Sequence, residues 1–238
     1  MKNQYFGDAN DYRKYGLLRC IAEATGLPIG ILWMLTDDDG RSDGEFRRYL
    51  SAPRQWRHHD EHLYKALAQL LEEGVARDVD HAERWGLVPG ATYCLGVFTD
   101  ESDWRTKSFA AAMANLGSCP LLFLDPDDGV EVRSVPYGRR GSSKYVYWRE
   151  METLFSGGHS LLVYQHYGRV ERSAFEAALA GDFRSRLGTV EVADFSTAHV
   201  AFFLVLQEEH AGHLPGIRSM VEARWKGQIV STGDDRIQ

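Results

Sequence analysis

Two loops rich in carboxylates each follow a short apolar run of the sequence. The first loop begins at position 36, after the run at 29–35, and the second begins directly after the run at 121–124. Carboxylates at close range drive their pKa values apart, which supplies an acid and a base at neutral pH. They also bind Mg²⁺, or stabilise a positively charged sugar transition state and orient a water. The predicted catalytic residues are Asp37, Asp39, Asp125 and Asp127.

A basic segment lies between positions 132 and 149, which hold five Lys or Arg residues and no acid. Within it, residues 137–148 also contain glycines, serines and aromatic side chains. Backbone amides, Ser hydroxyls and cations contact phosphates, and aromatic rings stack on bases. We predict an anion-holding loop ahead of a helix, and a mobile surface loop is the alternative. The predicted nucleic-acid-binding residues are Arg139, Arg140, Ser142, Ser143, Lys144 and Arg169.

Two further segments supply groups that suit base recognition. An amide and an imidazole follow the apolar run at 161–164, where they can read a base edge, although a structural histidine is the alternative. The segment 5–16 mixes aromatic, acidic and basic residues ahead of a helix, with Asn10 or Asp11 as its N-cap, and indicates a lid or substrate-facing arm. The predicted base-binding residues are Phe6, Gln165, His166 and Tyr167.

Charge and motif content exclude several classes of protein. The formal net charge of -7 argues against a protein that coats DNA through a basic surface. The sequence contains none of four common motifs, namely the P-loop of nucleotide-binding proteins, the nucleophile elbow, the zinc-binding helix and the glycine-rich dinucleotide motif. The run 58–62 contains three histidines, but consecutive residues on a helix do not face one another, so a metal role is not expected. The sequence therefore predicts neither a metal nor a cofactor.

The remaining composition indicates a cytoplasmic protein. The first residues lack the apolar core of a secretory signal, and the longest apolar runs fall far short of the roughly 20 residues of a membrane helix. Cys20, Cys94 and Cys119 are widely spaced and odd in number, which favours buried thiols over disulfides or a metal site.

Apolar runs and helical patterns alternate along the chain, and this alternation predicts a three-layer α/β/α fold with a mostly parallel central sheet. Residues 1–238 show no repeat and no linker, so we expect a single α/β domain. Strands are predicted at 29–35, 93–98, 121–124, 161–164, 190–192 and 201–206. Helices are predicted at 12–24, 61–73, 104–116, 148–155, 173–180 and 216–225. The carboxyl ends of the strands are the expected place for a ligand.

Segments 5–18, 33–44, 125–127 and 138–144 together resemble an uncharacterised family of bacterial α/β proteins. The amphipathic first helix, the Asp-rich loop and the later Asp-Pro turn also resemble adenine-N6 methyltransferases, whose Asp-Pro-Pro-Tyr turn holds a flipped base. Here Asp127 and Asp128 stand in place of the Pro-Tyr pair. The first loop lacks the glycine pattern that contacts S-adenosylmethionine.

A second resemblance is to α/β DNA glycosylases, including phage-defence enzymes that remove glucosylated hydroxymethylcytosine. In that class an early acidic loop orients water and a later loop with a histidine supports the departing base, which would correspond here to Asp37–Asp39 and Gln165-His166. This resemblance implies a DNA glycosylase that excises a modified base and has modified phage DNA as its partner. The alternatives are a methyltransferase-like protein, a metal-dependent nuclease, or a nucleic-acid-binding module without turnover.

Overall fold

The computed structural model describes residues 1–38, 46–72, 76–168, 170–189 and 191–231. Two of the predicted site residues, Asp39 and Arg169, lie outside this part of the chain. Among the described residues, no helix combines the length and the apolar character that crossing a bilayer requires.

A mixed sheet of seven strands forms the centre of the described structure, in the order β2-β1-β3-β6-β8-β7-β9. β1, β2, β3 and β6 are mutually parallel, whereas β8 runs antiparallel to both of its neighbours. A separate two-stranded sheet pairs β4 with β5. The strands are β1 Ile29–Leu35, β2 Thr92–Val97, β3 Leu121–Asp125, β4 Gly129–Val130, β5 Tyr145–Val146, β6 Ser160–His166, β7 Val192–Ser196, β8 Val200–Val205 and β9 Val230–Ser231.

Helices cover both faces of the large sheet, because the central strands are apolar on both sides. Side chains at alternate positions of β1 and β3 enter two separate cores. One core packs against α1, α3, α4 and α8, and the other packs against α5, α6 and α7. The predicted three-layer α/β/α fold is thus confirmed. The helices are α1 Ala9–Thr25, α2 Pro53–Trp56, α3 Glu61–Glu72, α4 Asp80–Arg84, α5 Ser102–Leu116, α6 Trp148–Ser156, α7 Arg172–Leu187 and α8 Leu214–Trp225.

The predicted elements agree with the structure except near β7. The strand expected at 190–192 shares only Val192 with β7, which continues to Ser196. Asp194 interrupts the apolar run and conceals this strand in the sequence. Because only a short turn separates β7 from β8, the two strands form an antiparallel hairpin.

The cysteines are free thiols, as the sequence indicated. Cys20 and Cys119 are buried, but Cys94 is only half-buried.

Close packing of α1 on α8 depends on a glycine in the middle of α1. A Cβ atom added at Gly16 would lie 1.8 Å from the Trp225 ring, which is fully buried. Any side chain at position 16 would therefore force the two helices apart.

We expect Gly16→Ala to destabilise the protein by about 1–3 kcal/mol, because overpacking strains a filled core. The measurement is the free energy of unfolding in urea. Gly181→Ala is the matched control, since Gly181 lies in α7 with open space around its Cα. Helix propensity alone should make that control neutral or more stable by up to about 1 kcal/mol. Equal effects of the two substitutions would contradict this account of the α1–α8 contact.

Candidate functional site

A cavity of about 400 Å³ lies where β1, β3 and β6 end. In the sheet, β2 lies on one side of β1 and β3 lies on the other. The direction in which strands are added therefore reverses between β1 and β3, and this is the topological switch point of the sheet. Open α/β sheets bind ligands at such a crevice. Its volume lies within the range of roughly 300–1,000 Å³ typical of small-molecule pockets. The carboxylates that line it are Asp8, Asp11, Asp125, Asp127 and Asp128, and the lysines are Lys2, Lys14 and Lys144.

Asp125 is the last residue of β3 and forms a buried ion pair. The Lys14 ammonium in α1 lies 2.8 Å from Asp125 Oδ2 and 2.9 Å from Asp11 Oδ1. Burial by itself would lower the pKa of Lys14, but Asp11 and Asp125 outweigh it and the pKa is raised. Lys14 is therefore held as a cation, and Asp125 is already neutralised by its partner.

Asp127 has an oxygen available for chemistry. Its side chain is only 3% exposed, and Oδ2 lies 3.3 Å from Lys2 Nζ and 3.8 Å from Lys144 Nζ. Oδ1 lies 3.9 Å from the amine of Met1 and has no hydrogen-bond partner within the described part of the chain. A buried carboxylate oxygen without a partner is costly unless a ligand or a water satisfies it. Asp127 thus presents an acceptor at the wall of the cavity.

Residue 1 lies in the crevice at the end of β1. Its amine donates to the carbonyl of Met34 over 2.9 Å and to the carbonyl of Asp125 over 3.3 Å. The Thr36 N–H in turn donates to the Met1 carbonyl over 2.9 Å. Burial lowers the pKa of this amine to about 6. The segment 5–16, predicted as a substrate-facing arm, begins just beyond it and supplies Tyr5, Asp8 and Asp11 to the cavity.

Asp8 caps α1 from the cavity wall. Its carboxylate accepts hydrogen bonds from the backbone N–H groups of Asn10 and Asp11, both over 2.8 Å. The predicted N-cap was Asn10 or Asp11, so the helix starts slightly earlier than expected. Burial, together with the nearby charge of Asp11, raises the pKa of Asp8 to about 7.

Three of the predicted base-binding residues lie outside the cavity lining. Phe6 is buried in the core, with its ring 5.4 Å from that of His81. Tyr167 is buried and donates to Glu176. Gln165 accepts from the Val130 N–H over 2.9 Å, so that it supports the turn after β3. These side chains are too well packed to meet a base.

His166 is the predicted base-binding residue that the structure places on the cavity wall, where it is exposed. Among the predicted catalytic residues, Asp125 and Asp127 line the cavity, whereas Asp37 is exposed and lies outside the lining.

Sequence reasoning missed Lys14 and the rings of Phe46, Tyr164 and His199, which also line the cavity. An apolar run in the sequence points only to the residues directly after it, and these four come from a helix, a loop, a strand interior and a hairpin turn.

The predicted anion-holding loop binds a carboxylate of the same chain, that of Asp100. The Asp100 carboxylate accepts from the backbone N–H of Gly141 over 2.7 Å and from that of Ser143 over 2.8 Å. Ser142 is fully buried, and its hydroxyl also lies within 3.4 Å of Asp100. The backbone donors that were expected to bind phosphate are thus engaged by Asp100. Arg139 and Arg140 remain exposed, and Lys144 reaches the cavity.

A buried arginine fixes this loop against α5 and α6. Arg105 is fully buried and pairs with Glu150 over 2.7 Å. It also donates to the carbonyls of Ser142 and Tyr145 over 3.1 and 2.6 Å. The Tyr147 ring packs against its guanidinium at 5.0 Å. The segment is therefore anchored, which disagrees with the alternative of a mobile loop.

Comparison with known proteins identifies no family for this chain. No protein-family model and no curated protein matches it. Among solved structures, a protein of family DUF519 from Legionella pneumophila is 12% identical, with a TM-score of 0.44, over 95% of this chain and 96% of that chain. A structural similarity this weak gives no information about activity.

The raised pKa of Asp8 predicts a pH dependence of stability. Between about pH 4 and pH 7 the folded state keeps a proton that the unfolded state releases, so this carboxyl makes the free energy of unfolding fall as pH rises. The Met1 amine acts in the opposite direction between about pH 6 and pH 8, because its pKa is lowered. Between about pH 4 and pH 6 the Met1 amine does not contribute, but Asp11 and Glu131, whose pKa values are also raised by burial, act in the same direction as Asp8. Comparison with a variant at position 8 therefore isolates the contribution of Asp8.

Between these pH values the free energy of unfolding should fall on the order of 2 kcal/mol more in the wild type than in Asp8→Asn, because asparagine does not titrate. Asparagine caps a helix equally well, so the substitution keeps the start of α1. The measurement is urea unfolding at several pH values for the wild type and the variant. Asp182→Asn, at an exposed position of α7, is the control and should follow the wild type. Parallel curves for Asp8→Asn and the wild type would show that Asp8 is ionised at low pH in the folded protein.

Proposed function

We propose that this protein is a hydrolase that acts on nucleic acid and breaks the N-glycosidic bond of a modified base in DNA. The observation that carries the proposal is Oδ1 of Asp127, a buried carboxylate oxygen in the wall of a cavity at the switch point of the sheet. Among the described residues it has no hydrogen-bond partner, and the Met1 amine lies 3.9 Å away. Such a group suits a reaction in which positive charge develops on a sugar.

In this reaction the bond between the sugar C1′ and the base nitrogen breaks, and its electron pair leaves with the base. The charge that develops on the sugar is stabilised by Asp127. We assign to His166, exposed on the cavity wall, the donation of one proton to the departing base. A water then adds to C1′ and loses a proton to the Asp127 carboxylate, and this proton returns to His166 through the solvent, so that the overall reaction consumes one water.

Asp125 and Lys14 have a positioning role in this proposal. Lys14 donates directly to Asp125 Oδ2 over 2.8 Å, whereas the nearest cation to Asp127 Oδ1 is the Met1 amine at 3.9 Å. Asp125 is therefore the less suited of the two carboxylates to stabilise further positive charge. The pair instead fixes the end of β3, from which Asp127 follows two residues later. Asp125 was one of the predicted catalytic residues, and we now assign catalysis to Asp127.

The cavity also favours a base that carries hydroxyl groups. Asp8 and Asp128 lie on the wall as further acceptors, and carboxylates accept hydrogen bonds from sugar hydroxyls. Glucosylated hydroxymethylcytosine in phage DNA is a substrate with this chemistry, and it is the one that the glycosylase resemblance implies. Antiviral defence in the cytoplasm would be the corresponding biological setting.

Methyl transfer from S-adenosylmethionine is the second candidate, favoured by the Asp125-Pro126 turn at the end of β3. Against it, Met1 occupies the crevice at the end of β1 through its hydrogen bonds to Met34 and Thr36. A metal-dependent nuclease has less support, because the Lys14 ammonium lies 2.8 Å from Asp125 and competes with a metal ion for that carboxylate. Measurement of S-adenosylmethionine binding and of the effect of a chelator would decide between these alternatives.

We expect Asp127→Asn to lower base release at least ~100-fold while the protein stays folded, because the amide cannot balance positive charge on the sugar. Released bases are measured by mass spectrometry after incubation with plain DNA and with glucosylated-hydroxymethylcytosine DNA, with chelator present. Asp37→Asn, at an exposed position outside the lining, is the control and should keep its activity. Loss of activity in Asp37→Asn alone would move catalysis to the first acidic loop. No base release by the wild type from either DNA would reject the proposal.

The cations near the cavity should make DNA binding depend on salt. Replacement of Arg139, Arg140 and Lys144 by Gln should weaken binding and reduce the slope of log affinity against log salt by about 0.9 for each phosphate that the variant no longer neutralises. The control is the triple Gln variant of three exposed cations outside the lining, namely Lys65, Arg84 and Lys226. Fluorescence anisotropy across a salt series gives both slopes. An unchanged slope in the first variant would remove these residues from the DNA-binding surface.

A further inference from the structure

Two nearly parallel rings lie at the cavity. Phe46 and His199 both line it, and their planes are 22° from parallel with centroids 6.2 Å apart. Successive bases on one strand are ~3.4 Å apart, so a ring held between two others separates them by about twice that distance. The centroid distance between Phe46 and His199 is slightly shorter than this value. Insertion of a planar ring therefore requires an outward movement of Phe46, whose side chain is exposed.

Backbone hydrogen bonds hold the two residues that carry these rings. The carbonyl of Phe46 accepts from the Ala9 N–H at the start of α1, over 3.0 Å. The carbonyl of His199 accepts from the Tyr167 N–H over 3.4 Å, and its own N–H donates to Thr197 Oγ1 over 3.2 Å. The two rings are therefore tied to the start of α1 and to the turn of the β7–β8 hairpin.

The surroundings of the two rings suit a base that arrives with its phosphates. Phe46 is 65% exposed, which is unusual for a large apolar ring at a polar cavity and leaves its face open. Burial and the positive charges of Arg13, Arg172 and His166 lower the pKa of His199. The neutral imidazole that results stacks on a base without adding a further charge. The same cations attract the phosphates on either side of that base.

We propose that Phe46 and His199 form a slot that binds one planar heterocycle, a base turned out of a nucleic-acid strand. The proposal rests on the proposed function for the identity of the ligand, but the stacking itself requires no catalysis by Asp127. Enzymes that act on a base commonly take it out of the duplex, and aromatic side chains stack on bases of any sequence. Phe46 and His199 are thus assigned to substrate binding.

The test compares two DNA duplexes that differ at one position. One carries a mismatched 2-aminopurine and the other carries a tetrahydrofuran abasic analogue at the same site. Affinities are measured by fluorescence anisotropy for the wild type and for Asp127→Asn. Both should prefer the duplex that carries the base by about tenfold, which corresponds to the stacking of a single base. Phe46→Ala and His199→Ala should lose this preference.

Phe46→Trp should retain the preference, because it keeps an aromatic face. Trp104→Ala removes another exposed ring, one in α5 and outside the cavity, and should bind like the wild type. A preference that survives in Phe46→Ala, or that is missing from the wild type, would overturn the slot. If the preference is present but no base is released, the proposed hydrolysis fails and the slot stands.

Discussion

The buried ion pair between Lys14 and Asp125 joins the first helix to the end of β3, across 111 residues of sequence. Burying two ions costs several kcal/mol each, and only good geometry with further partners offsets that cost. Lys14 has such partners, because its ammonium also contacts Asp11 and lies 5.5 and 5.3 Å from the ring centroids of Trp33 and Tyr164. Loss of Lys14 would leave two buried carboxylates, those of Asp11 and Asp125, next to the cavity without their shared cation. The position of the turn after β3 therefore depends on this pair.

Much of the fold was predictable because its strands are short apolar runs and its helices carry apolar residues at helical spacing, although only α3 and α6 are strongly amphipathic. The direction of β8 was not predictable, since a fully buried strand such as Val200–Val205 has no pattern that reports its neighbours. Antiparallel pairing results instead from the short connection after Ser196. The two-residue strands β4 and β5 were also missed, because so short a pairing gives no periodic signal.

The candidate site was predictable only in part. Asp125 and Asp127 were found because they follow an apolar run directly, and that position corresponds to a strand end. Lys14 was missed because a charged residue in a helix is normally exposed, and its burial depends on a partner far away in sequence. Ser143 shows the converse limit. Its loop has the composition of a phosphate site, but the sequence does not reveal that Asp100 already occupies the backbone donors.

Charge is arranged differently at the wall and at the surface of this cavity, and that arrangement constrains how a nucleic acid can enter. The wall holds five carboxylates and three lysines, and this excess of acidic groups disfavours a phosphate there. Arg139 and Arg140 are exposed. They are close in sequence to Lys144, which lines the cavity. A net charge of -7 does not prevent binding, because association depends on such local potentials. Under the proposed function, the phosphates of a strand are thus favoured outside the cavity and its neutral base inside, which would require the base to leave the stack before the reaction.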